Sequence, residues 1–314
     1  MSVLSRFLEG DIRALSKVIS HIEDRAKGYQ DLLGTLYEKA GKSLRIGITG
    51  PPGAGKSTLV NGLAHEYLND GMRVGVVAVD PTSPFTGGAL LGDRVRMNEF
   101  PPGDRFYFRS MATRGASGGL AAATGNVTVA LDAFGFDITL IETVGVGQVE
   151  LDIINACDTV VVTVVPESGD AVQTMKAGLM EIADIFVVNK SDRPGAERLG
   201  MDLKQMLRAR PVKPESWKIP IIDTVAVERK NVDLLRRKID EHIGFIKNNG
   251  QLEQHRRQQI EKKILSIIKY QFQREFLETL GKDVDFEAII DKIMKGTTNP
   301  FKAADELYTT FSGK

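Results

Sequence analysis

Residues 50–57 read Gly50-Pro51-Pro52-Gly53-Ala54-Gly55-Lys56-Ser57, with Thr58 next, which is the pattern G-x-x-x-x-G-K followed by a hydroxyl residue. Glycines at this spacing let backbone N–H groups curl around phosphate oxygens. The lysine reaches the β- and γ-phosphates, and the serine hydroxyl can ligate Mg²⁺. A helix starting near Lys56 adds the positive end of its dipole. The chemistry is nucleoside triphosphate binding, with catalytic weight on Lys56. An ordinary glycine-rich turn is the bland alternative, but a strand before the loop and a helix behind it stand in the order that phosphate binding requires.

A triphosphate site does not name the base. Asn189-Lys190-Ser191-Asp192 closes a later strand, about 130 residues past the phosphate loop. The Asp192 carboxylate can accept from guanine N1–H and the exocyclic amine together, a donor pair that adenine lacks. Charge-assisted bonds are worth about 1.5–3 kcal/mol each, so two of them discriminate by about two to four orders of magnitude. GTP and GDP are the expected ligands. Thr224-Val225-Ala226, at the next strand end, occupies the place where a short Ser/Thr-x-Ala-like loop would face the guanine O6.

Two acids stand at the carboxyl ends of strands, Asp80 in Val79-Asp80-Pro81-Thr82-Ser83 and Glu142 in Glu142-Thr143-Val144-Gly145. An acid so placed beside a phosphate loop can hold the Mg²⁺ shell, directly or through water.

The elements that must position these residues are legible as short apolar runs. LRIGIT (44–49), RVGVVAV (73–79), RFYFRS (105–110), DITLIE (137–142), TVVVTVV (159–165), DIFVVN (184–189) and IPIIDTV (219–225) are apolar throughout rather than alternating. That predicts a mostly parallel sheet covered on both faces by helices, a three-layer α/β/α fold. In front, apolar residues from Val3 to Tyr37 recur at helical spacing with a break at Gly10-Asp11. Behind, Ile260, Ile264, Ile267, Ile268, Phe272, Phe276 and Leu280 line one face of a helix about 40 Å long that has to dock on something. A helix from about Phe286 to Met294 and another from Pro300, capped by Asn299, complete the tail. The expected organisation is an N-terminal helical extension over 1–42, a nucleotide-binding domain over 43–228 reaching about 248 with its last helix, and a C-terminal helical arm over 249–314.

Composition narrows the partners. The 41 Lys and Arg balance 41 Asp and Glu, which removes the electrostatic footprint of a general nucleic-acid binder. A single cysteine, Cys157, fits a reducing cytoplasm and reads as a buried thiol. The N-terminus lacks the apolar core of a signal peptide, and no apolar run approaches the ~20 residues needed to cross a bilayer.

Taken together, the Glu142 variant, V-D-P-T-S, Gly92-Asp93-Arg94-Val95-Arg96-Met97 and E-T-V-G-V-G-Q resemble the MeaB/ArgK family of P-loop GTPases. The family is associated with methylmalonyl-CoA mutase and carries the older name of lysine/arginine/ornithine transport ATPases. The resemblance covers nearly the whole chain. It implies a GTPase that gates cofactor loading and protection of an adenosylcobalamin-dependent acyl-CoA mutase, and it points to a homodimer built on the helical arm. By position it makes Asp80 and Glu142 Mg²⁺-shell residues, Asp93 a first-switch residue near the metal, and Gly145 a backbone contact to the γ-phosphate. Pro166 through Lys176 corresponds to a third switch loop at the mutase interface, with Asp170, Gln173 and Lys176 kept and their flanks changed. Asp170 and Gln173 also fit a helix cap and its third position.

Arg94, Arg96, Arg109 and Arg114 are the candidate arginine fingers, or else fold-forming arginines. A P-loop ATPase or kinase linked to amino-acid transport is the alternative function, to be separated by competition between GTP and ATP. A nickel-type metallochaperone is disfavoured because His21, His65, His242 and His255 are scattered and Cys157 stands alone.

Overall fold

The computed structural model describes residues 2–80, 100, 104–112, 119–143, 153–167, 178–210, 215–283 and 285–312. They group into two compact units, Met1–Arg256 and Arg257–Lys314.

The first unit opens with α1 (Val3–Leu8), α2 (Ile12–Glu23) and α3 (Tyr29–Tyr37). The break read at Gly10-Asp11 is real. Gly10 takes a left-handed φ, and the Asp11 carboxylate caps α2 by accepting from Arg13 N and Ala14 N, satisfying two of the N–H groups that a helix start leaves open.

All seven apolar runs are strands: β1 (Leu44–Thr49), β2 (Val74–Asp80), β3 (Phe106–Ala112), β4 (Ile138–Glu142), β5 (Thr159–Val164), β6 (Ile185–Asn189) and β7 (Ile221–Thr224). They form one sheet in the order β3-β2-β4-β1-β5-β6-β7, and every pairing is parallel. The crossovers carry α4 (Lys56–Asn69), α5 (Gly119–Phe134) and α6 (Ala196–Arg208), and α7 (Val232–Asn248) follows the last strand.

Successive strand residues point to opposite faces, and both faces are covered. On one, Ile46, Ile48, Val76, Val161 and Val187 pack with Leu59, Leu63 and Tyr67 of α4 and Leu235 and Ile239 of α7. On the other, Val77 and Val79 meet Leu15, Val18 and Ile19 of α2 and Leu131 of α5, while Val162 and Phe186 meet Leu199 and Leu203 of α6. Burial on both sides is why these strands read as continuous apolar runs. The N-terminal helices therefore complete a layer of the sheet domain.

The helix α8 (Gln251–Asp283) begins in the first unit. Its root is tied down by consecutive residues: His255 Nε2 stands 3.2 Å from Cys157 O, and Arg256 bonds both oxygens of Asp158 at 3.0 and 2.7 Å. Arg45 grips the same carboxylate from β1. Burial alone would raise the Asp158 carboxyl, but the two guanidinium groups outweigh it and hold it at about 2.

The second unit holds the rest of α8 with α9 (Phe286–Met294) and α10 (Pro300–Ser312). As the sequence suggests, Asn299 caps α10, its Oδ1 accepting from Lys302 N at 3.0 Å. Among the apolar residues of α8, Ile260, Ile264, Ile267, Ile268 and Phe272 are exposed.

Candidate guanine-nucleotide site

In a parallel sheet, ligands gather at the carboxyl ends of the strands. The phosphate loop leaves the central strand β1 there and runs into α4. Two of its glycines are sterically demanded. Gly50 has φ +138°, and a Cβ on it would lie 2.0 Å from the Thr163 carbonyl oxygen of β5. Gly55, at φ +84°, would set a Cβ 2.3 Å from Asn189 Nδ2. Only a bare backbone lets the loop pass this close to two neighbouring strands.

Pro51, Pro52, Gly53 and Ala54 form the turn between them, Ala54 fully buried. Lys56 is buried, with 6% of its surface exposed, and its ammonium donates to Gly50 O at 2.8 Å and Pro51 O at 3.0 Å. The charge thus sits at the mouth of the loop, where an anion would release it from those carbonyls. Ser57 and Thr58 follow on the first turn of α4.

The Ser57 hydroxyl donates to Glu142 Oε1 at 2.6 Å, joining the phosphate loop to the end of β4. An alcohol and a carboxylate meeting there are an all-oxygen donor pair. Mg²⁺ takes such donors, using one or two carboxylates with phosphate oxygens and water completing its octahedron, so the residues fit that ion. Beside Glu142, Thr143 Oγ1 donates to Thr49 Oγ1 at 2.9 Å. Asp80 ends β2, two residues past Ala78, the strand partner of Glu142. Asp93, Gly145, Asp170, Gln173 and Lys176 lie outside the described residues, as do Arg94, Arg96 and Arg114.

Asn189 is the residue whose part the sequence did not disclose. Only 2% exposed at the end of β6, it donates from Nδ2 to Ala54 O at 2.8 Å. Its Oδ1 accepts from Thr224 Oγ1 at 3.0 Å and from Ala226 N at 3.1 Å. With two donors on one side and a carbonyl on the other, the amide has one sensible orientation. One side chain therefore clasps the phosphate loop to the loop after β7. That second loop is closed by a bridge between Val225 and Lys230, and Ser191 N donates to Thr224 O at 3.0 Å. Lys190 follows Asn189 with a left-handed φ of 55°, and Asp192 is exposed. Asn189 and the Thr224–Ala226 loop are thus joined to the phosphate loop at Ala54.

Other candidates go elsewhere. Arg109 of β3 pairs with Glu23 and donates to Ser20 Oγ at 3.1 Å, both on α2, so it ties down an N-terminal helix. Cys157 is buried, which raises its thiol, and Sγ donates to Ile153 O at 3.0 Å. His65 stacks on Phe100, and His242 bonds Thr159 Oγ1 at 2.9 Å. Among the described residues no group of His, Cys, Asp and Glu is arranged to hold a metal by itself, and no helix is long and apolar enough to cross a membrane.

This fold and this loop define a P-loop nucleoside triphosphatase of the guanine-nucleotide class. The sequence profile described as methylmalonyl Co-A mutase-associated GTPase MeaB matches residues 12–279, and the chain belongs to that family of GTPases. Over 313 residues it is 44% identical to a Pyrococcus abyssi protein named as a candidate GTPase, covering 99% of this chain and 96% of that one. It is 31% identical over 294 residues to GTPase ArgK of Escherichia coli, covering 90% and 87%. To the protein of Caenorhabditis elegans named methylmalonic aciduria type A homolog, mitochondrial, it is 30% identical over 325 residues, covering 98% and 81%. A crystal structure of a LAO/AO transport system kinase has the same fold, with a TM-score of 0.72 at 24% identity over 99% of this chain and 96% of that one.

Proposed function

We propose that this GTPase uses GTP hydrolysis to gate cofactor loading and protection of an adenosylcobalamin-dependent acyl-CoA mutase, methylmalonyl-CoA mutase or a close relative, in the cytoplasm. The observation that carries the reading is the family match over residues 12–279, because a nucleotide site by itself names no client. The name of the Caenorhabditis elegans relative points the same way.

In this reading the Asp192 carboxylate accepts from the guanine edge, and the Thr224–Ala226 loop lies against O6. Lys56 exchanges the Gly50 and Pro51 carbonyls for the β- and γ-phosphates, and the Gly145 backbone meets the γ-phosphate. Ser57, Glu142, Asp80 and Asp93 hold Mg²⁺, which when bound supplies the positive charge that phosphoryl transfer needs. Asp170, Gln173 and Lys176 face the mutase. Arg109 is committed to α2, and phosphoryl transfer rests on positioning and charge neutralisation. Turnover by the chain alone is therefore slow, and saturating cognate mutase raises it by about tenfold or more. An unchanged rate would refute the client.

The exposed Ile260, Ile264, Ile267 and Ile268 of α8 support a homodimer in which the segment 249–314 is the pairing arm and 43–248 the GTPase domain behind the 1–42 helices. Light scattering on the full chain and on Ile264→Glu tests it: the wild type runs as a dimer and the variant as a monomer.

A further inference from the structure

If Asp192 reads guanine, its carboxylate has to be open when the nucleotide arrives, yet its neighbours in the chain work against that. Lys190 lies two residues before it and Arg193 directly after it. Arg193 is the more serious competitor, since a guanidinium presents two parallel N–H groups to a carboxylate, the same donor pair that the guanine edge offers. A paired Arg193–Asp192 would occupy the acceptor that selects the base.

The structure shows a different pairing. Asp192 is exposed and makes no hydrogen bond or ion pair among the described residues. Both cations turn to a single carboxylate, Glu167, in the turn that follows β5. Lys190 Nζ is 3.4 Å from Glu167 Oε2, and Arg193 Nη1 pairs with Oε1. Pro166, one residue earlier, stands beside Gly195, so this turn is packed against the loop it serves.

We propose that Glu167 is a specificity-determining positioning residue: by engaging Lys190 and Arg193 together it keeps them off Asp192 and leaves that carboxylate available to the guanine edge. The inference rests on the base-site reading above and adds to it a residue from the segment that the resemblance matches to a third switch loop. Its distinctive consequence is rescue. A Glu167 that merely braced its own turn would not be replaced by deleting a second side chain, whereas a guard against a competitor becomes unnecessary once the competitor is gone.

The test is displacement of a fluorescent GDP analogue from the full chain at low salt, with GDP and ADP as competitors and thermal melting as the control for folding. Glu167→Gln is expected to weaken GDP binding about two- to fivefold, the range for an exposed ion pair, and the loss should shrink in 1 M salt, where the Debye length is about 3 Å. Arg193→Gln added to Glu167→Gln restores most of the lost GDP affinity, since the stronger of the two competitors is gone, and Glu167→Asp alone falls between wild type and Glu167→Gln. Unchanged affinity in Glu167→Gln, or a loss that Arg193→Gln does not restore, overturns the proposal. A wild type that does not prefer GDP to ADP overturns the base-site reading and this inference with it. A wild type that discriminates while Glu167→Gln matches it overturns the inference alone.

Discussion

Replacing Asn189 by Ala removes three hydrogen bonds from one buried point and leaves Ala54 O, Thr224 Oγ1 and Ala226 N to find other partners. A neutral hydrogen bond contributes about 0.5–1.5 kcal/mol net, and a buried group left unpaired costs about 1–3 kcal/mol. Because the three share one side chain their losses overlap, and about 2–5 kcal/mol is expected. That is a large share of the ~5–15 kcal/mol that stabilises an ordinary domain. Asn189→Asp separates the two sides of the clasp. It keeps an oxygen facing Thr224 and Ala226 but turns the donor toward Ala54 O into an acceptor, so the damage falls on the phosphate loop. GDP affinity should drop by more than about tenfold in both variants, equivalent to about 1.4 kcal/mol. Urea unfolding followed by the fluorescence of Trp217, together with calorimetric titration of GDP, measures both quantities. Stability within about 0.5 kcal/mol of wild type, the scatter expected of a neutral surface change, with GDP affinity also unchanged, would refute the clasp.

Glu142→Gln weakens the partner of the Ser57 hydroxyl and should lower Mg²⁺-dependent turnover by more than about tenfold while GDP still binds; full turnover in the variant refutes its place at the metal. Cys157, buried and with its thiol pushed up by that burial, should resist a thiol reagent in the native protein and react on unfolding in urea; rapid labelling of the native chain counts against the packing. Asp158 contributes stability that is complete above its ordinary value near 4 and is lost as pH falls toward its folded value of about 2. Arg256→Gln removes one of its two cations, so the folded value rises and acid unfolding, followed by circular dichroism, should begin at higher pH; a superimposable acid curve refutes the ion triad.

Much of this protein is legible in its sequence. Each of the seven strands coincides with an apolar run, because a strand buried on both faces needs no alternation and therefore stands out against its helical connections. Asn299 announced its helix because a cap acts on an N–H group only three residues away. The phosphate loop was equally legible: its glycines, Lys56 and Ser57 are consecutive and act on one ligand. The long helix was legible as a helix as well.

What the sequence by itself determined is therefore everything whose cause is local: the strands, the caps, the phosphate loop and the presence of a base-reading motif. Tertiary structure alone decided the strand order that sets β1 between β4 and β5, the meeting of Ser57 with Glu142, and the destination of Arg109 on α2. It also turned Asn189 from a letter in a motif into the link between Ala54 and Ala226, and drew Lys190 and Arg193 to Glu167. The reason is physical. Spacing along the chain reports what neighbouring residues do to each other, whereas a hydrogen bond between residues 135 apart depends on which strands lie side by side, and that is settled by packing the whole sheet.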